Sequence, residues 1–324
     1  MNKKQTIFVL ITAGILISLF GYSMITSIQK EKDDEGKLDI IVTFYPLEYF
    51  TRVIGGEHVS VDVLVPYNSE IHAWQPSTSQ ILAADEADII IYNGAGVDHW
   101  FEEDILPAIR KSNKQIVESA EGIQLREMED EDDHGDEGDG GGDDHEHGMY
   151  DPHTWISPVV AKQQAENIYS ALVSEDPSNE PDYTANWKNL SMRFEEMDRE
   201  YRSSLSNRTR GEIITSHAAF GYLADEYGFE QHGVIGLSAD EQPSTATIAE
   251  LVELMADEDN FVVYVDPVYS DDFAETIKTE VERETGENVK ILKLYFMLGP
   301  KDGLDYFEQM QKNLDNLKIG LGAQ

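Results

Sequence analysis

The sequence predicts an α/β protein of two Rossmann-like lobes, each a mainly parallel sheet flanked by helices, joined by a long rigid helix. Three observations carry that prediction. Short apolar runs bounded by polar residues alternate with helical segments in both halves of the chain, the pattern that parallel sheets produce. Between the halves, Tyr183, Trp187, Leu190, Phe194, Met197, Tyr201 and Leu205 recur at steps of three and four, which puts all seven on one helical stripe. At 324 residues the chain is long enough for two lobes that each bury a core.

The elements follow in order. From Ile7 to Ile28 no residue is charged and most are apolar, enough to span a bilayer core of about 20 residues. Lys3 and Lys4 precede this run, so its amino end stays cytoplasmic and the rest faces outward. A cleaved secretory signal has the same charged start, and either reading of residues 1–36 exports the body. Residues 37–177 read as the first lobe. Strands are expected at Leu38–Phe44, Val59–Val65, Asp88–Tyr92 and Gln115–Val117, with helices at Leu47–Ile54, near Ser77–Ala84 and at Trp100–Arg110. The stripe defines a connecting helix within 178–209, which Ser178 to Pro181 can open because proline is tolerated in a first turn. Residues 210–324 repeat the alternation. Their strands are expected at Glu212–Thr215, Val234–Ile235, Phe261–Val265 and Val289–Leu294, their helices at Phe220–Tyr227, Thr245–Ala256, Phe273–Thr285 and Asp305–Leu317. A helix between lobes is a strut, whereas a glycine linker would have indicated hinge closure.

One segment belongs to neither lobe. Glu127–Gly148 holds twelve acidic residues, three histidines and six glycines, and cannot bury enough apolar surface to offset the entropy of ordering. It reads as a disordered loop: either a solvated acidic tether or a loose metal trap built on His134, His145 and His147. The charge balance narrows the function further. Twenty-four Lys and Arg stand against 63 Asp and Glu, a net charge of −39, which excludes nucleic acid as a partner and favours cations. Cysteine is absent, so disulfides, thiolate metal sites, thiol catalysis and cysteine-linked lipid anchors are all excluded. Any metal site must use His, Asp and Glu.

Three histidines occupy positions where such a site would form. His72 follows the second strand, His153 in DPHTWISP follows the acidic loop and precedes a helix that Ser157 can cap, and His217 lies two residues past the strand ending at Thr215. Ligands of open α/β sheets bind outside the carboxyl ends of strands. Three imidazoles completed by a carboxylate or water suit zinc and related divalent ions. His58, His99 and His232 lack such placement and read as ordinary structural residues. A hydrolytic zinc centre with Glu70 as base would use similar residues, but no H-E-x-x-H motif is present, and the chain is not expected to be an enzyme.

The motifs TFYPLEYF, LVPYNSEIHAWQPS, EADIIIYNGAGVDHW, DPHTWISP, SHAAFGYLADEYG and GLSADEQPSTATIAELV occur in this order. Together they resemble the zinc/manganese solute-binding proteins of ABC importers, over about Leu38 to Leu317. The resemblance implies two lobes on a rigid helix, an extracytoplasmic location and handover of metal to an ABC permease. It also implies ligands: the family's E-P-H maps to Glu70–Ile71–His72, its D-P-H-x-W to His153, and its third histidine to His217. Manganese-type members tend to carry Glu at that third position, so His217 favours Zn²⁺, with Mn²⁺ or iron as the alternative cargo. The sequence departs from the family at the fourth ligand, where KLYFMLGP puts Tyr295 or its neighbours in place of an acid. Water, Glu70 and Asp266 all stay open as the fourth donor, with capping or bracing a loop as the other reading of Asp266. Outside transport, the alternative is a metal-buffering or adhesive surface protein that uses the acidic loop.

Overall fold

The computed structural model describes residues 36–112, 114–127, 150–235 and 244–324. The expected anchor at Ile7–Ile28 and the loop histidines His134, His145 and His147 lie outside these residues. The first half forms a sheet of β1 (Leu38–Val42), β2 (Val59–Val63), β3 (Ile89–Tyr92) and β4 (Gln115–Glu118), in the order β2-β1-β3-β4 with every pair parallel. The second half repeats it with β5 (Glu212–His217), β6 (Glu230–Ile235), β7 (Val262–Val265) and β8 (Lys290–Lys293), in the order β6-β5-β7-β8. The runs IIIY in β3 and VVYV in β7 are buried at every residue, as central strands covered on both faces require. In each sheet the strand order reverses beside the first strand, and a crevice opens at the carboxyl ends there.

The helices are α1 (Tyr45–Gly55), α2 (Thr78–Glu86), α3 (Pro158–Glu175), α4 (Glu180–Leu205), α5 (Gly221–Tyr227), α6 (Thr245–Asp257), α7 (Asp272–Thr285) and α8 (Tyr306–Gly320). The strut is α4, about 39 Å long at 1.5 Å per residue. Six of its seven stripe residues are buried, and Trp187 packs partly buried with its ring stacked on Tyr169. Capping boxes at Ser77–Gln80 and Asp305–Glu308 fix the starts of α2 and α8.

Four sequence expectations are corrected. Trp100–Arg110 is not one helix: a single π turn, Phe101–Ile105, gives way to turns because Pro107 has no amide to continue the ladder. β5 runs two residues further than expected, ending on His217 itself. β6 begins at Glu230, since its polar residues Glu230, Gln231 and His232 belong to an edge strand whose apolar pattern is weak. Ser157 precedes α3 as expected, but its hydroxyl makes no cap, and Pro158 presets the first turn instead.

The last helix does more than close the second lobe. Along its length α8 lies on the second sheet, where the Tyr264 hydroxyl donates to the Asn316 carbonyl. Its first turn reaches the first lobe. The Tyr306 ring meets Phe50 of α1 edge-on at 4.9 Å, and Phe307 lies 4.9 Å from Phe194 of the strut. One apolar core therefore runs from the first lobe along α4 into the second, and a smaller one of Ile214, Met255, Val263, Ile277 and Val281 sits under α6 and α7.

Candidate metal centre

The carboxyl ends of both sheets face one another, and three imidazoles meet between them. His72 lies in the loop after β2, His153 in the turn before α3, and His217 at the last position of β5. One ring nitrogen from each falls within 4.8 Å of the others. The Nε2 atoms of His153 and His217 are 3.2 Å apart. Two nitrogens bound tetrahedrally to zinc at ~2.05 Å would lie about 3.3 Å apart, so this spacing fits a shared ion. His153 and His217 are buried and His72 is half-buried. The space between them is a cavity of about 10 Å³, room for one water-sized sphere, walled by Ile71, Trp155, Phe296 and Leu298 and bordered by Glu70 and Tyr269.

Each histidine is held differently. The fully buried Asp151 accepts from the His153 amide at 2.9 Å and faces ring Nδ1 at 2.8 Å. With Nδ1–H donating to this carboxyl group, Nε2 keeps its lone pair toward the cavity, and Asp151 is the outer partner that metal-binding histidines usually have. The turn itself is fastened by Asn93 Nδ2 donating to the Pro152 carbonyl and by the Tyr222 hydroxyl donating to the Asp151 carbonyl. Gly221 lets this happen, because a Cβ there would come within 2.5 Å of Asp151 Oδ2. Burial pushes the Asp151 carboxyl up to about 7. Burial, with the nearby His72, pushes the His153 imidazole well below its usual value and keeps it neutral near pH 7.

His72 rides on a loop that is docked rather than buried. Trp100 Nε1 donates to the Ile71 carbonyl at 3.0 Å, and the Asn68 amide donates across the crevice to the Leu298 carbonyl at 2.8 Å. Gly299 permits that approach, since a Cβ there would lie 2.6 Å from the Tyr67 Cβ. Trp155, two residues past His153, also crosses between lobes: its Nε1 donates to the Phe296 carbonyl at 2.7 Å.

Glu70 borders the cavity without entering the donor set. Its Oε1 accepts the amides of Ile71 and His72 at 3.0 and 2.9 Å, and its Oε2 accepts the Tyr269 hydroxyl at 2.5 Å. Asp266 is not brought to the cavity at all. Its carboxylate accepts the amides of Val268 and Phe296 at 2.7 and 2.5 Å, so it braces the loop after β7, and burial raises it to about 7. The segment 293–300 gives the cavity apolar walls; the Tyr295 hydroxyl donates instead to Asp302. A second group of metal-capable donors, Glu212, Glu230 and His232, lies at the opposite end of the second sheet. There His232 Nε2 lies 2.6 Å from Glu212 Oε2 on an edge strand, and a hydrogen bond between them accounts for the grouping.

Two parallel-sheet lobes on a rigid helix, with ligand groups converging where their strand ends face, define the class of two-lobed solute-binding proteins. Within that class, residues 40–320 match the family described as the zinc-uptake complex component A, periplasmic (ZnuA), and the chain belongs to that family. It is 34% identical over 327 residues to the high-affinity zinc uptake system protein ZnuA of Bacillus subtilis (strain 168), covering 99% of this chain and 98% of that one. It is 29% identical over 309 residues to the zinc-binding lipoprotein AdcA of Streptococcus pneumoniae, where 94% of this chain matches 60% of the relative's length. Among solved structures, the metal-dependent lipoprotein YcdH of Bacillus subtilis superposes with a TM-score of 0.72 at 31% identity, covering 88% of this chain and 99% of that one. The Zn(II)-bound AdcA of Streptococcus pneumoniae superposes with a TM-score of 0.72 at 27% identity, over 89% of this chain and 59% of that one.

Proposed function

We propose that the chain is an extracytoplasmic receptor that captures one Zn²⁺ with His72, His153 and His217 and delivers it to the permease of an ABC importer. The observation that carries this reading is the 3.2 Å approach of two buried Nε2 atoms, with a third imidazole nitrogen in reach and room for a single ion. An all-nitrogen set favours zinc over the oxygen-preferring Mn²⁺, and water completes four-coordination. Capture needs no turnover, and both Glu70 oxygens already accept hydrogen bonds, which argues against their use as a general base.

The histidines must be neutral to bind. Zinc occupancy is therefore expected to fall as pH drops below ~6.5, the free imidazole value, and to recover on returning to neutrality. At His153 the proton is a weak competitor, because burial lowers its pKa. Titration with a chromophoric zinc chelator from pH 7.5 to 5 reads the release.

AdcA is named a lipoprotein, whereas this chain contains no cysteine to carry a lipid. The uncharged run Ile7–Ile28 takes that tethering role in our reading if it is kept as an anchor, and exports the body without a tether if it is cleaved. Among the described residues, no helix is long and apolar enough to cross a membrane.

The test is calorimetry on metal-free protein, titrating zinc and manganese separately. One tight zinc site with much weaker manganese supports the receptor. His217→Glu should move the preference toward Mn²⁺, and an unchanged zinc-to-manganese ratio would remove His217 from the ligand set.

A further inference from the structure

We infer that Tyr269 sets the metal selectivity of this site by withholding the Glu70 carboxylate from the ion. The inference rests on the histidine site proposed above and concerns which fourth donor that site allows.

Among the described residues Glu70 is the acidic group at the cavity wall, and it belongs to the first lobe, while Tyr269 belongs to the second, 199 residues later. The two oxygens of Glu70 have separate duties. Oε1 is pinned by two amides of its own loop, those of Ile71 and His72. Oε2 turns away from the loop and, among the described residues, accepts one bond from the other lobe, the Tyr269 hydroxyl at 2.5 Å, a length typical of a charge-assisted O–H···O⁻ bond. The tyrosine is fixed in turn. Its amide donates to the Asp266 carbonyl at 3.1 Å, the Asp266 carboxylate ties down Val268 and Phe296, and its ring packs 5.7 Å from Phe296 and 6.3 Å from His217. A phenol held this rigidly keeps Oε2 occupied beside the metal position.

Without that hydroxyl, Oε2 is an ionised oxygen left unpaired in a narrow, partly apolar cavity, which is costly unless it finds a cation. The nearest partner is the ion itself. Glu70 then becomes a direct oxygen donor, and a nitrogen-only protein set becomes a mixed one, which suits harder ions such as Mn²⁺. Tyr269 is thus a positioning residue. It acts on the metal through Glu70, and its loss changes preference more than fold.

Zinc and manganese titrations of the full chain and of Tyr269→Phe, Glu70→Gln and the double variant test this. Tyr269→Phe should narrow the preference for zinc over manganese by about tenfold or more. Glu70→Gln alone should leave the preference at the parental ratio, since Glu70 donates nothing there, and adding it to Tyr269→Phe should restore that ratio. A parental ratio in Tyr269→Phe overturns the inference. So does a Glu70→Gln variant that binds manganese disproportionately worse than zinc, because Glu70 would then already be a ligand. If melting shows Tyr269→Phe unfolded, the Glu70→Gln ratio decides alone. A parent with no tight zinc site would instead sink the receptor reading and not this one specifically.

Discussion

The two lobes share one strand order and present their histidines in opposite ways. In the second lobe His217 is the last residue of β5, so the sheet's own hydrogen-bond ladder positions it. In the first lobe both histidines lie beyond strand ends. His153 is buried and locked through Asp151, whereas His72 is half-buried on a loop fastened by Trp100, Asn68 and Glu70. The proposed site thus has two histidines set by rigid scaffold and a third set by docking. The difference predicts a hierarchy. The rigid pair should define where the ion sits, and the docked histidine should close over it.

Substitutions at the rigid pair should have the largest effect. His153→Ala or His217→Ala should weaken zinc by more than the ~100-fold that losing an outer partner costs at most. His72→Ala should cost less, because water can reach a half-buried position. If His72→Ala proves the most damaging of the three, the hierarchy is inverted. Asp151→Asn comes next, with an expected ~10–100-fold loss of zinc affinity, through loss of control over the His153 ring. Competition titrations rank all four variants, and metal-free melting curves check that each one folds. The smallest effect is expected from removing residues 128–149. Glu127 and Tyr150 pair as an antiparallel bridge, so the ends can be rejoined. The tight site should then keep its affinity within about threefold, as a site built on outer-shell-supported histidines elsewhere requires; a large loss would restore the buffering role to the loop histidines.

The same division explains what was legible in the sequence. Apolar runs such as IIIY and VVYV and the strut's seven-residue stripe announce the two sheets and the helix between them, because burial of a repeating face is a local pattern. His72 and His217 were legible as residues near strand ends, and His153 by its motif DPHTWISP ahead of a helix. Asp151 left a fainter signal, an acid two residues before a histidine across a proline. Tyr269 left none, since its partner Glu70 is 199 residues away. Nor did the sequence decide between ligand and loop brace for Asp266, or reveal that Phe296 and Leu298 would wall the cavity. Asp266 meets Phe296 across 30 residues and the cavity walls come from both lobes, so no short window along the chain contains either arrangement.

The crossing of α8 back to the first lobe has a consequence for how the protein comes into being. Tyr49 and Asp305 are hydrogen-bonded across 256 residues, and Tyr201 of the strut donates to Met310 across 109. The first lobe's aromatic core therefore lacks a wall until nearly the whole chain has been made. Contacts this distant in sequence close late and slow the search for the native state. A growing chain would hold its amino-terminal half open throughout synthesis, which is the condition in which a polypeptide can be threaded across a membrane before it folds.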